Sequence, residues 1–141
     1  MAVAPKSAYG TAVAIGDGTT SETFNELLGA RNINGPSYAA ESIDVTSHSS
    51  AGNYREVVPS FLAGGEVTFD LLYDSTDTQH LQLFTDFEAR TLRNFEQTLT
   101  DTGADIHSYA AYITGLELAA PIDDAVTMAV TLTVTGAITR S

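Results

Sequence analysis

Two segments of the chain alternate apolar and polar residues with a period of two. Residues 126–137 place valine, methionine and leucine on one set of positions and threonine on most of the other set, and residues 66–73 alternate in the same way. This period is typical of a strand that packs one face on a core and exposes the other to water. The apolar positions that we expect in the core are Val67, Phe69, Leu71, Val130, Leu132 and Val134.

After residue 74 the spacing changes from strand-like to helical. Thr76, followed three residues later by Gln79, fits a capping box at a helix N-terminus. Apolar residues then recur at helical spacing, which predicts a helix over about residues 77–89 that packs on the core. This apolar stripe consists of Leu81, Leu83, Phe84 and Phe87. His80 lies in the same helix, and we expect it to be exposed.

Weaker patterns predict more strands, which cover residues 11–15, 38–45, 92–99 and 107–118. Residues 24–33 fit either a short helix or an irregular strand, and residues 101–105 carry the Asp and Gly that favour a turn. The chain is therefore predicted to be mainly β, an antiparallel β-sandwich or barrel with one flanking α-helix. Its 141 residues suit one domain, 1–141, with residues 1–10 as an N-terminal arm.

A long polar connection, residues 44–59, lies between two of the predicted strands. It holds several serines, the flexible Gly52, and Tyr54 and Arg55, whose residue types are favoured at interfaces. A small domain seldom keeps a polar loop of this length unless the loop has a function. We therefore predict that this extended loop contacts another molecule.

Charge and cysteine content narrow the possible function classes. Six Lys and Arg against 18 Asp and Glu give a formal net charge of −12. Such a chain is unsuited to binding DNA by neutralising phosphates, which requires a basic face. The absence of Cys excludes disulfides, thiolate metal sites and a cysteine nucleophile. No apolar run approaches the roughly 18 residues of a membrane span, so we expect no membrane partner.

The residues that could carry catalysis are scattered along the chain. His48, His80 and His107 fall on three different predicted elements, and none has a second His or a Cys at ligand spacing. The sequence contains no nucleophile elbow and no phosphate-binding glycine loop. The carboxylates of the predicted turns lack the spacing of a calcium loop. We expect a protein that is not an enzyme and has no metal and no cofactor.

Four motifs occur in an order that resembles the tail tube proteins of long-tailed bacteriophages of the lambda type. They are Gly35-Pro36, then Glu-x-Ile-Asp-Val-Thr at 41–46, then Tyr-Arg-Glu at 54–56, then Gly-Gly-Glu-Val-Thr-Phe at 64–69. Residues 121–136 are similar to the closing segment of that family, so the resemblance covers most of the chain. It favours a strand over residues 24–33.

The resemblance implies a structural protein of the virion tail, of a phage or of a phage-derived particle. Six-membered rings would stack into a tube, and strands from all subunits would join in one inner barrel. DNA would pass through the lumen without specific binding. The implied partners are further copies of the chain, a tape-measure protein, a tail terminator and baseplate or initiator proteins, and the implied place of assembly is the host bacterial cytoplasm.

Three sets of candidate site residues follow from this resemblance. Ring stacking is expected to involve Asp44, Ser47, His48, Asn53, Tyr54 and Arg55. The polar strand positions that would line the lumen are Glu66, Thr68, Asp70, Thr127, Thr131, Thr133 and Thr135. Residues 1–10 and Arg140 are expected to contact neighbouring subunits, with Arg140 meeting a carboxylate there.

Two alternative functions stay open at this point. The first is a related ring protein, either a tail terminator or a head–tail connector. The second is a soluble, acidic β-sandwich binding module, such as a carbohydrate-recognition domain. That module is poorly supplied with stacking residues, because the chain has no Trp and no strand face with clustered aromatic residues.

Overall fold

The computed structural model describes residues 9–100 and 105–140. These residues form nine strands and one α-helix. The elements are β1 Ala12–Gly16, β2 Phe24–Glu26, β3 Ala30–Asn34, β4 Ala39–Asp44, β5 Val57–Ala63, β6 Glu66–Leu72, α1 Thr78–Ala89, β7 Arg93–Thr98, β8 Ile106–Ala119 and β9 Thr127–Arg140. Most of the predicted N-terminal arm and of the predicted turn at 101–105 lies outside the described residues.

Seven of the strands form one antiparallel sheet in the order β2-β1-β7-β8-β9-β6-β3. Its two edge strands, β2 and β3, are consecutive in the chain, and the segment between them crosses from one edge to the other. The Leu27 N–H donates to the Val13 carbonyl on β1, and the Leu72 N–H on β6 donates to the Gly29 carbonyl. The segment therefore closes the sheet on itself, which confirms the predicted sandwich or barrel.

The core fills the inside of this closed sheet. The apolar positions predicted on β6 are buried, and so are Val130 and Leu132 on β9, while Val134 is partly buried and packs against the same cluster. Val13, Ile15, Phe95 and Ile113 complete the enclosure from the other strands. The period-two prediction for β6 and β9 is confirmed because each strand has one face on this core.

The helix has nearly the predicted bounds, but its cap and its buried face differ from the prediction. Asp77 caps it, since its carboxylate accepts hydrogen bonds from the Gln79 and His80 N–H groups. The expected Thr76 cap is wrong, because that hydroxyl donates to Asp74 instead. No helix among the described residues is long and apolar enough to cross a membrane.

The buried side of α1 carries His80, which we expected to be exposed. This imidazole is 1% exposed; its Nε2 lies 2.8 Å from the Leu28 carbonyl and its Nδ1 lies 3.1 Å from the Asp74 N–H. Both ring nitrogens therefore have backbone partners, which compensates for their burial. Leu81 and Phe87, which belonged to the predicted apolar stripe, are 45% and 40% exposed.

Candidate assembly interface

Strands β4 and β5 form a two-stranded hairpin that stands apart from the closed sheet. All residues of β4 are exposed, and every residue of β5 except one is exposed. The apolar neighbours Val57 and Val58, and Phe61 and Leu62, are exposed as adjacent pairs. Since adjacent strand residues point to opposite faces, the hairpin presents apolar side chains on both of its faces.

An isolated two-stranded hairpin is marginally stable in water. Phe61 and Leu62 are 78% and 84% exposed, which is far above the exposure of the core residues. An apolar element that buries so little within its own subunit is typical of a surface that another chain covers. The hairpin is therefore the strongest candidate for an assembly element among the described residues.

Strand β5 is also where the prediction for residues 44–59 was wrong. The connection was expected to run to residue 59, but β5 begins at Val57 and pairs with β4 from Asp44 to Ala39. The missed signal was the pair of apolar doublets around Pro59. Proline is tolerated there because each strand of a two-stranded hairpin has a free edge.

The six predicted ring-stacking residues all lie at the tip of the hairpin. Asp44 forms an exposed salt bridge with Arg55 at 3.4 Å and accepts the Thr46 N–H at 2.9 Å. The hydroxyl of Thr46 and then its N–H hold the pKa of Asp44 below its usual value. The Ser47 and Ser49 hydroxyls bond each other at 2.9 Å, and Gly52 and Asn53 adopt positive φ to turn the chain toward Tyr54.

The predicted lumen residues lie mostly on one surface, the outer face of β6 and β9. Glu66 is paired with Thr133, Thr68 with Thr131, and Asp70 with Ala129. Thr127 lies at the far end of the same face, whereas Thr135 lies beyond the end of β6 and borders a groove below the hairpin. We call this surface the threonine face.

The threonine face is held by side-chain hydrogen bonds and carries carboxylates. The Thr114 and Thr133 hydroxyls lie 3.0 Å apart, and the Asn32 amide donates to the Asp70 carboxylate at 3.1 Å. At one margin, Thr133 shares a groove of about 560 Å³ with Arg90 and Glu88 at the end of α1. A cation, Arg90, therefore lies near the face, and the carboxylate residue Glu88 lines the same groove.

A chain of polar contacts lies at the base of the hairpin. The Tyr38 hydroxyl is hydrogen-bonded to Nδ1 of His107, and Nε2 of His107 lies 2.8 Å from the Asp105 carboxylate. Arg140 donates to the same carboxylate oxygen at 3.2 Å. Burial alone would raise the pKa of Asp105, but the hydrogen bonds from Arg140 and His107 keep that pKa below its usual value.

We call Tyr38, His107, Asp105 and Arg140 the base cluster. It gives Arg140 a partner that the sequence did not predict. Its guanidinium already has a carboxylate partner in its own subunit, and contact with a neighbouring subunit stays a prediction. No sequence signal linked Tyr38 to His107, because they are 69 positions apart and meet only through the fold. Among residues 9–100 and 105–140, no group of three or more His, Cys, Asp and Glu side chains could hold a metal ion.

Comparison with known proteins gives one family and several similar structures. A sequence profile of the family described as "Lambda phage tail tube protein, TTP" matches residues 9–140. No curated protein sequence matches the chain.

The similar structures come from tails and injection systems. The tail of an empty gene transfer agent particle, with C6 symmetry, has a TM-score of 0.75 at 21% identity and covers 92% of this chain and 95% of that chain. The SPP1 tail tube has a TM-score of 0.69 at 14% identity, with 92% and 75% covered. A sheath/tube terminator of the PVC extracellular contractile injection system has a TM-score of 0.73 at 12% identity, with 100% and 99% covered. At these identities, the likeness shows a shared fold.

Proposed function

Because the chain belongs to the lambda phage tail tube protein family and is a structural tail protein, we propose that its copies form six-membered rings that stack into a tube. The observation that carries this proposal is the β4–β5 hairpin, whose two apolar faces are uncovered in the subunit. The C6 symmetry of the similar gene transfer agent tail supports the number six. The whole chain, 1–141, acts as one tail tube domain in this proposal.

The hairpin is the element that joins rings. Its tip carries a salt bridge and a set of serine hydroxyls, so it offers polar groups for a neighbour to bind. Its sides carry the exposed apolar doublets of β5, so insertion against a neighbouring subunit would remove apolar surface from water. Residues 1–10 and Arg140 add further contacts between subunits.

The threonine face lines the lumen, and DNA passes along it without specific binding. Hydroxyl groups and the carboxylates of Glu66 and Asp70 give DNA phosphates no attractive charge. The formal net charge of −12 adds a general repulsion. The wall therefore acts passively, by failing to hold the nucleic acid that moves past it.

The proposed partners are those of a tail. A tape-measure protein would occupy the lumen during growth, a terminator would cover one end, and baseplate or initiator proteins would start the other. Structures with this fold include a tube terminator, a tube-terminating cap and a baseplate. Assembly of the proposed tail takes place in the host bacterial cytoplasm.

Negative-stain microscopy of the purified protein tests the proposal. We expect tubes or stacked rings of constant diameter. Rings that never stack would instead indicate a terminator or connector, and isolated monomers would indicate a binding module, so either result would refute the tube.

A deletion tests the role of the hairpin tip. Removal of Ser47 to Asn53 should leave a folded subunit, because the Val45 N–H and the Glu56 carbonyl still close the hairpin. Tubes should be absent. A variant with seven Gly residues in place of 47–53 keeps the length and removes the side chains. If the deletion variant forms tubes as well as the parent, the tip does not join rings.

A further inference from the structure

In the described part of the chain, the hairpin meets the closed sheet at its base. On the β5 side the link to β6 is Gly64-Gly65, and Gly65 has a φ of +64°, which lets the backbone turn sharply. On the β4 side, the Ser37 N–H donates to the Gly64 carbonyl at 3.0 Å. A groove of about 510 Å³ opens beneath this base, between Leu62 and the β9 residue Ile138. The backbone links alone therefore leave the hairpin room to tilt.

Two cross-strand neighbours in the sheet hold the segment that enters β4. Gln97 on β7 pairs with His107 on β8. The Gln97 amide donates to the Gly35 carbonyl at 2.9 Å, and His107 bonds the Tyr38 hydroxyl three residues later. The last of these contacts is the one nearest to the hairpin.

The Asp105 carboxylate accepts hydrogen bonds from the Arg140 guanidinium and from Nε2–H of His107. In the tautomer that carries its proton on Nε2, Nδ1 of His107 accepts the hydrogen bond of the Tyr38 hydroxyl. The His107 side chain is 12% exposed, and the carboxylate that orients it is fixed in turn by β9.

We propose that Tyr38, His107 and Asp105, with Arg140 behind them, form a clamp that fixes the direction of the β4–β5 hairpin and so prepares the subunit for assembly. The second half of this statement rests on the proposed function, in which the hairpin joins rings. Tyr38 and His107 are positioning residues, since they act through the hairpin. A subunit whose hairpin tilts can join a ring for only part of the time. Its apparent affinity for the growing end of the tube is reduced in proportion to that fraction of time.

The test removes one hydroxyl from the clamp. Tyr38→Phe keeps the ring and deletes the donor to His107. Tyr112→Phe is the matched control, because it removes a hydroxyl from another half-exposed tyrosine outside the clamp. The chain has no Cys, so His48→Cys and Thr85→Cys introduce two unique spin-label sites, one at the hairpin tip and one on the exposed side of α1.

The distance between the labels is measured by pulsed electron paramagnetic resonance in the free subunit, and the critical concentration for tube assembly is measured separately without labels. Tyr38→Phe should broaden the distance distribution, and Arg140→Gln should broaden it less. Tyr38→Phe should also raise the critical concentration about three- to tenfold, the equivalent of one hydrogen bond. Tyr112→Phe should change neither quantity, and the thermal midpoint of Tyr38→Phe should lie no more than about a few degrees below that of its parent, since one hydrogen bond is a small part of the stability.

Two results would overturn the proposal. An unchanged distance distribution in Tyr38→Phe would show that the clamp does not fix the hairpin. A broadened distribution with an unchanged critical concentration would show that hairpin direction does not prepare assembly. Failure of the parent protein to form tubes would instead refute the proposed function, and the distance measurement would still decide whether the clamp holds.

Discussion

The exposed pair Phe61 and Leu62 on β5 allows a prediction in which a substitution weakens assembly but leaves the stability of the subunit nearly unchanged. The perturbation is the double substitution Phe61→Ser and Leu62→Ser. Both side chains are largely exposed in the subunit, at 78% and 84%. Their removal therefore takes little from the folded monomer, and the free energy of unfolding should change by less than about 1 kcal/mol.

The cost to assembly follows from the surface that these residues still have to bury. Full burial of a Phe or Leu side chain contributes about 1.5–3 kcal/mol. With roughly four fifths of each side chain still exposed, complete burial against a neighbour would contribute about 2 kcal/mol per residue. Together this is about 4 kcal/mol, or about 2 kcal/mol if the interface covers only half of that surface. The critical concentration should therefore rise about 30-fold to 1000-fold, since 1.4 kcal/mol corresponds to a factor of ten.

Sedimentation of polymer over a series of protein concentrations gives the critical concentration, and circular dichroism melting gives the stability. Leu81→Ser on the exposed side of α1 is the control for a general loss of surface apolarity. A rise of less than threefold for the double variant would contradict burial of this doublet between subunits. An equal rise for Leu81→Ser would show that assembly follows overall surface apolarity and not the hairpin.

Two further predictions concern charge. Replacing Glu66 and Asp70 by Lys should leave tubes intact, because Glu66 is exposed and the half-buried Asp70 loses one hydrogen bond, from Asn32, worth about 1 kcal/mol. Assembled particles should deliver DNA less efficiently, because a cationic ring holds phosphates. Normal delivery would place these side chains away from the DNA path, and Glu26→Lys at the exposed end of β2 is the control. Arg140→Glu should raise the pKa of Asp105, because a like charge replaces the guanidinium that stabilises its carboxylate. In the parent, the lowered pKa of Asp105 stabilises the fold at pH values above the ordinary Asp pKa, and this stabilisation is lost as the pH falls through the lowered pKa. In the variant, a ¹³C NMR titration should show the Asp105 carboxyl becoming protonated at a higher pH. The assembly rate of the same variant tests the neighbour contact, which an unchanged rate would exclude.

The sequence predicted the elements that bury one face against the core. The alternation on β6 and β9 was visible because each strand has water on one side and the core on the other. The helix was visible because Leu83 and Phe84 pack on the same core. Its buried face was misplaced by one position, because His80 occupies a core site that an apolar pattern does not register. The cap was misplaced because Thr76 and Asp77 are both good capping residues, and only the local fold selects between them.

The first strand of the hairpin lies within the predicted strand 38–45, but its second strand could not be predicted in the same way. Strand β5 has no alternation, since Val57-Val58 and Phe61-Leu62 place apolar residues on both faces. Periodicity arises where one face of a strand packs on the core of its own subunit, and neither face of β5 is buried in that way. The base cluster was missed for a different reason. Its members come from segments far apart in the chain, and the closed sheet alone brings Tyr38 to His107.

The crossing segment between β2 and β3 also has a consequence for the order of folding. The sheet is closed only when β1 has also paired with β7, which lies about 80 positions later in the chain, and β6 has paired with β9. Pairings between distant segments form slowly, while the neighbouring strands β8 and β9 can join early. Until the crossing segment closes, β1 and β6 are open edges that could pair with other chains. The rate at which new chains accumulate, relative to this last closure, therefore determines how many become subunits and how many become aggregates.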